Sequence, residues 1–327
     1  MPSVLRNAEH DHRWLTALRL TGRLGGFIAL VFFSLAQAGC KGEANKPVAL
    51  LCSADAPRVR RAVSAIEAGL APGGVEAAFL AEQGRDGKET VRRLQARRPA
   101  LFVVLGTPAL LLLAAAEKRT PVVFALVADP YFTGVADDPR RPDLHRALVT
   151  GLASPPPVAA ALEQGARLLG SKAWGLLYDP QDGAAVEVAE RFTTETRRLG
   201  LTPLLETGRD AASDQAALQR LLSRGAKVLY LPPAATASRY AGAVLALGRA
   251  RQVIVVNSHP ETAGKGALLT VALDYRRLGE ETAALAKRIL AGENPGRIPI
   301  TESTPLIMEV DETLLNYWSG YPAPRRQ

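Results

Sequence analysis

Polar side chains that directly follow short aliphatic runs are the residues of this chain best suited to bind a small molecule. The aliphatic runs predict buried strands, and in open α/β sheets ligands bind beside the carboxyl ends of the strands. Hydroxyl, amide and carboxylate groups at those ends can hydrogen-bond a polar solute. The candidates at these positions are Ser53, Thr107, Asp129, Asp179, Asn257 and Ser258.

These candidates also have purely structural interpretations. Thr107 can cap the helix that follows it, with Pro108 in the first turn, and such a helix start would offer amide donors to an anion. The spacing alone favours an ordinary cap. Asp129 and Asp179 each precede a proline, and Asp-Pro pairs are more often turn formers than ligands. A single histidine after a strand, such as His259, is usually a surface or capping residue.

Covalent catalysis and metal binding have little support in the sequence. Beyond the first forty residues the chain has His145 and His259, which are 114 positions apart, and its two cysteines, Cys40 and Cys52, form no metal-binding pattern. The chain has no nucleophile elbow, no zinc-protease motif and no phosphate-binding loop. We therefore expect no metal, no cofactor and no enzymatic activity.

The elements that position the candidate residues follow an alternating pattern. Aliphatic runs alternate with longer amphipathic stretches, which predicts βαβ units and parallel sheets. The predicted strands are 47–52, 101–105, 122–127, 173–178, 228–231, 253–256 and 268–273. The predicted helices are 57–71, 87–97, 108–118, 156–169, 184–199, 213–224, 235–251 and 275–291. No repeat of fixed period is present, which excludes solenoids and propellers.

Length and composition predict an α/β protein with two lobes. The chain has 327 residues, 47% of them hydrophobic and 22% charged, which is ordinary globular composition at a length beyond one small unit. A proline-rich break between 137 and 157 places the lobe junction near Thr150. We therefore assign 47–150 to an N-terminal lobe and 151–273 to a C-terminal lobe. The remainder, 274–327, is predicted to return to the N-terminal lobe and end in a tail.

The positive charge of the chain does not indicate a nucleic-acid partner. The formal charge is +8, from 40 Lys plus Arg against 32 Asp plus Glu. The arginines occur as scattered pairs within predicted helices, and no aromatic residues are interleaved with them, so neither a basic stripe nor a stacking platform is predicted.

The first forty residues read as an export signal. An apolar run, 24–36, is shorter than a membrane span and is followed by small residues and Cys40. A small residue directly before a cysteine resembles the bacterial lipoprotein signal, in which that cysteine is acylated. We therefore assign 1–39 to a signal peptide and 40–46 to a tether. The alternative is ordinary cleavage of a secreted protein, in which Cys40 could pair with Cys52.

Four blocks of sequence resemble the ABC transporter solute-binding proteins whose characterised members take aromatic amino acids and similar small solutes. In order along the chain the blocks are LGTPALLLLAAAEKRTPVVFALVADP (105–130), VTG (149–151), AWGLLYDP (173–180) and KGALLTVALDYRRLGEETAALAKRILAG (265–292). The resemblance spans about 47–300. It implies a type I periplasmic-binding-protein fold, which has two doubly wound parallel-sheet lobes joined by a crossover hinge.

The resemblance also implies a set of residues at the cleft or hinge. They are Thr107, Asp129, Thr150, Tyr178 and Asp274, which occupy the family's Gly-Thr-Pro, Asp-Pro, Thr-Gly, Tyr-Asn/Asp-Pro and Asp-Tyr positions. Two positions depart from the family. Leu148 replaces an asparagine, and Ala234 stands where the family has the aspartate of Pro-Thr-Asp. Because an amino-acid ligand needs a buried carboxylate for its ammonium, losing that aspartate argues against an amino-acid substrate. The alternative is that Asp129 or Asp179 supplies the carboxylate instead.

The resemblance implies solute capture for uptake. The expected protein is a periplasmic monomer, anchored through Cys40, that closes on a small organic solute and presents it to an ABC permease. The alternative is a ligand sensor that signals to a membrane receptor. The sequence does not separate the two.

Overall fold

The computed structural model describes residues 46–70, 74–80, 86–169, 173–259, 261–262 and 265–319. The chain divides into two compact units, Met1–Lys46 and Pro47–Gln327, and almost all described residues belong to the second. The predicted signal peptide and Cys40 lie outside the described residues.

The first sheet is built from six parallel strands. Its strands are β1 (Val48–Cys52), β2 (Val75–Phe79), β3 (Leu101–Leu105), β4 (Val122–Val127), β5 (Val149–Ala153) and β11 (Thr301–Glu302), in the order β11-β5-β4-β3-β1-β2. Strands β1 and β3 are fully buried because helices cover both faces of the sheet, and such strands read as continuous aliphatic runs.

The second sheet repeats the arrangement with one antiparallel edge. Its strands are β6 (Ala173–Tyr178), β7 (Thr202–Thr207), β8 (Val228–Leu231), β9 (Ile254–Asn257), β10 (Leu269–Leu273) and β12 (Leu306–Val310), in the order β12-β10-β9-β8-β6-β7. Strand β12 runs antiparallel to β10, with Leu269 opposite Val310, while the other pairs are parallel.

Nine α-helices of the described residues cover the two sheets. They are α1 (Pro57–Leu70), α2 (Gly87–Ala96), α3 (Thr107–Ala116), α4 (Val158–Leu169), α5 (Gly183–Arg198), α6 (Ala211–Ser223), α7 (Ser238–Arg249), α8 (Tyr275–Leu290) and α9 (Glu312–Ser319). Helices α1 and α8 pack on one face of the first sheet, and α2 and α3 pack on the other. On the second sheet, α4, α5 and α9 cover one face, and α6 and α7 cover the other.

The chain passes between the two sheets three times. It leaves the first sheet after β5, returns between β10 and α8, and crosses again between β11 and β12. The second and third crossings are tied together, because the Asp274 amide donates to the Pro305 carbonyl at 2.7 Å. These observations confirm the predicted fold class of two doubly wound lobes with a crossover hinge.

The lobes share the chain differently from the sequence-based division. Thr150, the predicted junction, lies inside β5 and pairs with Val123 of β4, so the first lobe continues to Ala153. The predicted crossing segment 274–327 contains α8 and β11, which join the first lobe, but β12 and α9 pack with the second lobe. Because β12 pairs antiparallel with β10 at the edge of the second sheet, it also brings α9 against the second lobe.

Candidate functional site

The residues that follow the central strands of the first sheet come into contact with those that follow the central strands of the second. We use the term cleft for the gap between the residues that follow β1, β3 and β4 in the first lobe and those that follow β6, β8, β9 and β10 in the second. One contact fixes how close the two sides come. Arg58 Nη1, in the first turn of α1, lies 3.5 Å from Glu261 Oε1, in the loop after β9.

Ser53 and Thr107 lie together on the first-lobe side of the cleft. The Ala109 amide donates to Ser53 Oγ at 3.0 Å, so Ser53 satisfies an amide at the start of α3. The N-cap of α3 is Gly106, not Thr107 as the sequence suggested, and Thr107 is the first helical residue. Gly106 has a positive φ of 99°, and a Cβ there would lie 2.5 Å from Ser53 Oγ. Glycine takes this position because the turn needs both that conformation and that close approach.

Asp129 lies at the end of β4 and is exposed. Its Oδ1 accepts the amides of Tyr131 and Phe132 at 2.9 and 3.2 Å, which forms the turn that the Asp-Pro pair predicts. The second carboxylate oxygen is left for other partners.

Thr150 is buried inside β5 and is held by the protein itself. Its hydroxyl donates to the Ile298 carbonyl at 2.8 Å. The same carbonyl lies 2.9 Å from Nε2 of His145. Both side chains thus anchor the segment that follows α8, and the structure does not bring Thr150 to the strand ends with the other candidates.

Tyr178 and Asp179 end β6 on the second-lobe side of the cleft. Tyr178 packs partly against the core of that lobe. Asp179 accepts the Gln181 amide at 2.9 Å and pairs with Arg239 Nη1 at 3.0 Å. The Gln181 amide and the Arg239 guanidinium outweigh burial and hold the pKa of the Asp179 carboxyl below its ordinary value. Arg239 also pairs with the buried Asp214 at 2.8 Å.

Asn257 and Ser258 form a buried turn after β9. Asn257 Oδ1 accepts the His259 amide at 2.8 Å, and its amide nitrogen donates to the His259 carbonyl and to Thr270 Oγ1. Ser258 Oγ and the Tyr230 hydroxyl are buried close to each other. Asn257 therefore organises the loop that carries the next residues into the cleft.

His259 is 1% exposed, unlike the surface residue that the sequence suggested. Its Nε2 lies 3.1 Å from Ser238 Oγ, and its Nδ1 has no hydrogen-bond partner. Burial, followed by the charge of Arg58, lowers the pKa of His259, and the charge of Glu261 opposes the shift. The imidazole is therefore neutral at pH 7.

Asp274 caps α8 at the second crossing. Its Oδ1 accepts the Arg277 amide at 3.0 Å. Asp274 also lines a groove of about 1310 Å³ that runs between α1 and α8 on one side and β10 and β12 on the other. It is the one sequence-predicted residue that lines this groove.

Arg58 and Glu261 were missed by the sequence analysis. A signal for Arg58 is present, because a cation in the first turn of a helix opposes the helix dipole and α1 has no acidic residue in that turn. Such a cation needs a partner from elsewhere. Glu261 carries no comparable signal, since its partner is more than two hundred residues away along the chain.

The described residues contain no group of three potential metal ligands. Within the same residues, no helix is both long enough and apolar enough to cross a membrane.

The chain is similar to known proteins both in sequence and in structure. A family model described as ABC transporter substrate binding protein matches residues 48–314, while no curated protein sequence matches the chain. A conserved domain protein from Vibrio cholerae has a similar structure, with a TM-score of 0.67 and 22% identity over 86% of this chain and 96% of that one.

Two further solved structures share the fold. An ABC domain from Streptococcus pneumoniae in complex with L-Trp aligns with a TM-score of 0.65 and 22% identity, covering 84% of this chain and 94% of that one. The ligand-free, open structure of a substrate-binding protein with adhesive properties from Clostridium difficile has a TM-score of 0.67 and 18% identity, covering 86% and 97%. With the match of the family model over most of the described residues, the chain belongs to the ABC transporter substrate-binding protein family.

Proposed function

We propose that this protein is the extracytoplasmic solute-binding component of an ABC importer. A small organic solute enters the cleft, the lobes close on it about the three crossings, and the closed form presents the solute to a permease. The chemistry needed is binding alone.

The contact between Arg58 and Glu261 carries this proposal. It joins the residues that follow β1 to those that follow β9 at 3.5 Å, so the ends of strands from both lobes come within reach of one solute. On the same side, the buried His259 Nδ1 has no hydrogen-bond partner, and Glu261 Oε1 has only its 3.5 Å ion-pair contact with Arg58. Buried polar groups in folded proteins are normally hydrogen-bonded, so such atoms mark a place where a partner from outside the chain is accommodated.

The export signal and Cys40 support an extracytoplasmic location. Acylation of Cys40 would tether the monomer to the membrane beside its permease. The polar stretch that follows Cys40 has the composition of a flexible linker.

Ligand-induced closure tests the proposed function. A solute that binds only the native protein raises the free energy of unfolding by about 2.7 kcal/mol at a hundredfold excess over Kd, and the thermal midpoint rises with it. We expect a screen of nucleosides, polyols, amines, amides, organic acids and L-tryptophan to yield a stabilising compound. That compound should also reduce the radius of gyration measured by small-angle scattering.

Two results would contradict the proposal. One is a screen in which no compound both stabilises the protein and contracts it. The other is turnover of a stabilising compound during incubation with the purified protein.

A further inference from the structure

Carboxylates of the protein engage five of the six arginines in the described segments that follow β1, β8 and β10. Their pairs are Arg58–Glu261, Arg60–Asp55, Arg239–Asp179 and Asp214, Arg276–Glu280, and Arg277–Glu281. The sixth, Arg61, forms no ion pair with a described residue and lines the groove beside Asp274. Arg58 and Arg239 are the least exposed of the paired arginines, and a ligand carboxylate or phosphate reaches them only in competition with a carboxylate of the protein.

The start of α3 offers an anion little compensation. Helix starts bind anions through free amides of the first turn. In α3 the second residue is Pro108, which has no N–H, and the third amide, that of Ala109, already donates to Ser53 Oγ at 3.0 Å. The sequence suggested this helix start as an anion-binding site. Its amide groups are instead largely absent or bonded to a neutral hydroxyl of the protein.

The carboxylates at the cleft are less fully neutralised than the cations. Among the described residues, Asp129 and Asp274 accept backbone amides through Oδ1 but form no ion pair. Their charge makes the strand ends unfavourable for an anionic solute and favourable for a cationic one.

Arg58 is the cation for which a ligand carboxylate would compete with Glu261. It is held by Glu261 of the opposite lobe at 3.5 Å and is mostly shielded from solvent, with 17% of its side chain exposed. The neutral His259 imidazole faces the same pair. A ligand carboxylate could reach the guanidinium only by displacing Glu261, and exchanging one carboxylate for another yields little net binding energy.

On the basis of the proposed function, we propose that the Arg58–Glu261 ion pair makes the cleft select uncharged and cationic solutes over carboxylates and phosphates. Glu261 acts as a built-in competitor for anionic ligands. Removing its charge frees Arg58 and converts the cleft into one that accepts anions.

Matched compounds and matched variants test this selectivity. Each of three carbon skeletons (propyl, phenylethyl and indolylethyl) is used as its ammonium, amide and carboxylate, and inorganic phosphate serves as a further anion. Binding to the wild type is compared by calorimetry with binding to Glu261→Gln. The control is Glu293→Gln, which removes the partner of Arg288 at the exposed end of α8, outside the groove that Glu261 lines.

We expect the wild type to bind an ammonium or amide at least about tenfold more tightly than the carboxylate of the same skeleton. Glu261→Gln should reverse that order, and Glu293→Gln should not. The double variant Arg58→Gln/Glu261→Gln should lose the new anion binding, which assigns it to Arg58. If Glu261→Gln does not fold, Glu261→Ala replaces it.

Three results would overturn the inference. They are tightest binding of a carboxylate by the wild type, the same order of affinities in Glu261→Gln as in the wild type, and no binding of any compound by either protein. If a carboxylate binds the wild type and contracts it, the selectivity is wrong while the proposed function stands. If no solute of any charge contracts the protein, the proposed function fails.

Discussion

Several charged residues at the strand ends form ion pairs with one another, so a solute would have to compete with the protein for them. Asp179 illustrates this, because the same carboxylate that the sequence offers as a ligand group bonds the Gln181 amide and Arg239. Arg239 in turn bridges Asp179 and Asp214 and reaches the Gly208 carbonyl. A residue type at a strand end is therefore insufficient evidence for a ligand contact, since the outcome depends on which charges the fold brings beside it.

The Asp179–Arg239 pair predicts an acid-dependent loss of stability. An unfolded aspartate has a pKa of about 3.9, and the Gln181 amide and Arg239 lower the pKa of Asp179 in the folded protein. The folded state binds this proton less readily, so the contribution to stability is complete above about pH 4 and is lost as the pH falls through the folded pKa. We expect the free energy of unfolding in urea to decrease below pH 4.

Arg239→Met separates this contribution from those of other carboxylates. The variant should be less stable than the wild type at pH 7, and the difference should shrink as the pH falls below 4, because the wild type loses the pair as well. Arg276→Met, which breaks an exposed pair, should change stability little at any pH. A constant difference between Arg239→Met and the wild type from pH 7 to pH 3 would contradict the assignment.

The packing of α8 on α1 attaches the returning chain to the first lobe. The two helices approach closely where both have small residues, and a Cβ at Gly279 would lie 2.5 Å from the Ala62 carbonyl oxygen and 2.9 Å from the Ala65 Cβ. The nearest atom belongs to the backbone, which moves only with its whole helix. The glycine is required here by close approach.

Gly279→Ala should destabilise the protein by about 1–3 kcal/mol, the usual cost of overpacking. Urea unfolding measures the loss. Gly242→Ala is the matched control, because Gly242 lies inside α7 with no atom within 4 Å of an added Cβ. That substitution should stabilise by about 0.5–1 kcal/mol through helix propensity. If Gly279→Ala left the stability unchanged or increased it, as is expected of Gly242→Ala, then α1 and α8 can move apart to make room for the added methyl group.

Every central strand except β5 could be predicted from the sequence, whereas the edge strands could not. Strand β5 lies where the proline-rich break suggested a lobe junction. The runs at 101–105 and 122–127 match β3 and β4, because strands buried on both faces are aliphatic throughout. Strands β2 and β7 were missed, since each is an edge strand of mixed composition with half-buried residues. Strand β12 was missed for the same reason, because four of its five residues are exposed.

The two lobes follow from the sequence, whereas the contacts between them do not. Alternating runs predict doubly wound sheets, and the sheets place Ser53, Thr107 and Asp129 at one edge through topology alone. The pairing of Arg58 with Glu261 depends on the relative position of two lobes and on a separation of about two hundred residues. Local pattern contains no information about such a pair, so the charge selectivity of the cleft becomes visible only in three dimensions.

We propose that the whole molecule is attached to the membrane through Cys40. We expect mass spectrometry of the mature N-terminus to find diacylglyceryl-modified Cys40, and the protein to fractionate with membranes. Cys40→Ala should release the protein from the membrane.

Cys52→Ala provides the control, because the Cys52 thiol is unpaired and fully buried at the end of β1, where burial raises its pKa to about 12. The control should lose some stability through the lost core volume and keep its membrane attachment. A chain beginning at Gly39 with a free amino group would identify a secreted protein instead, and solute capture would then take place without an anchor.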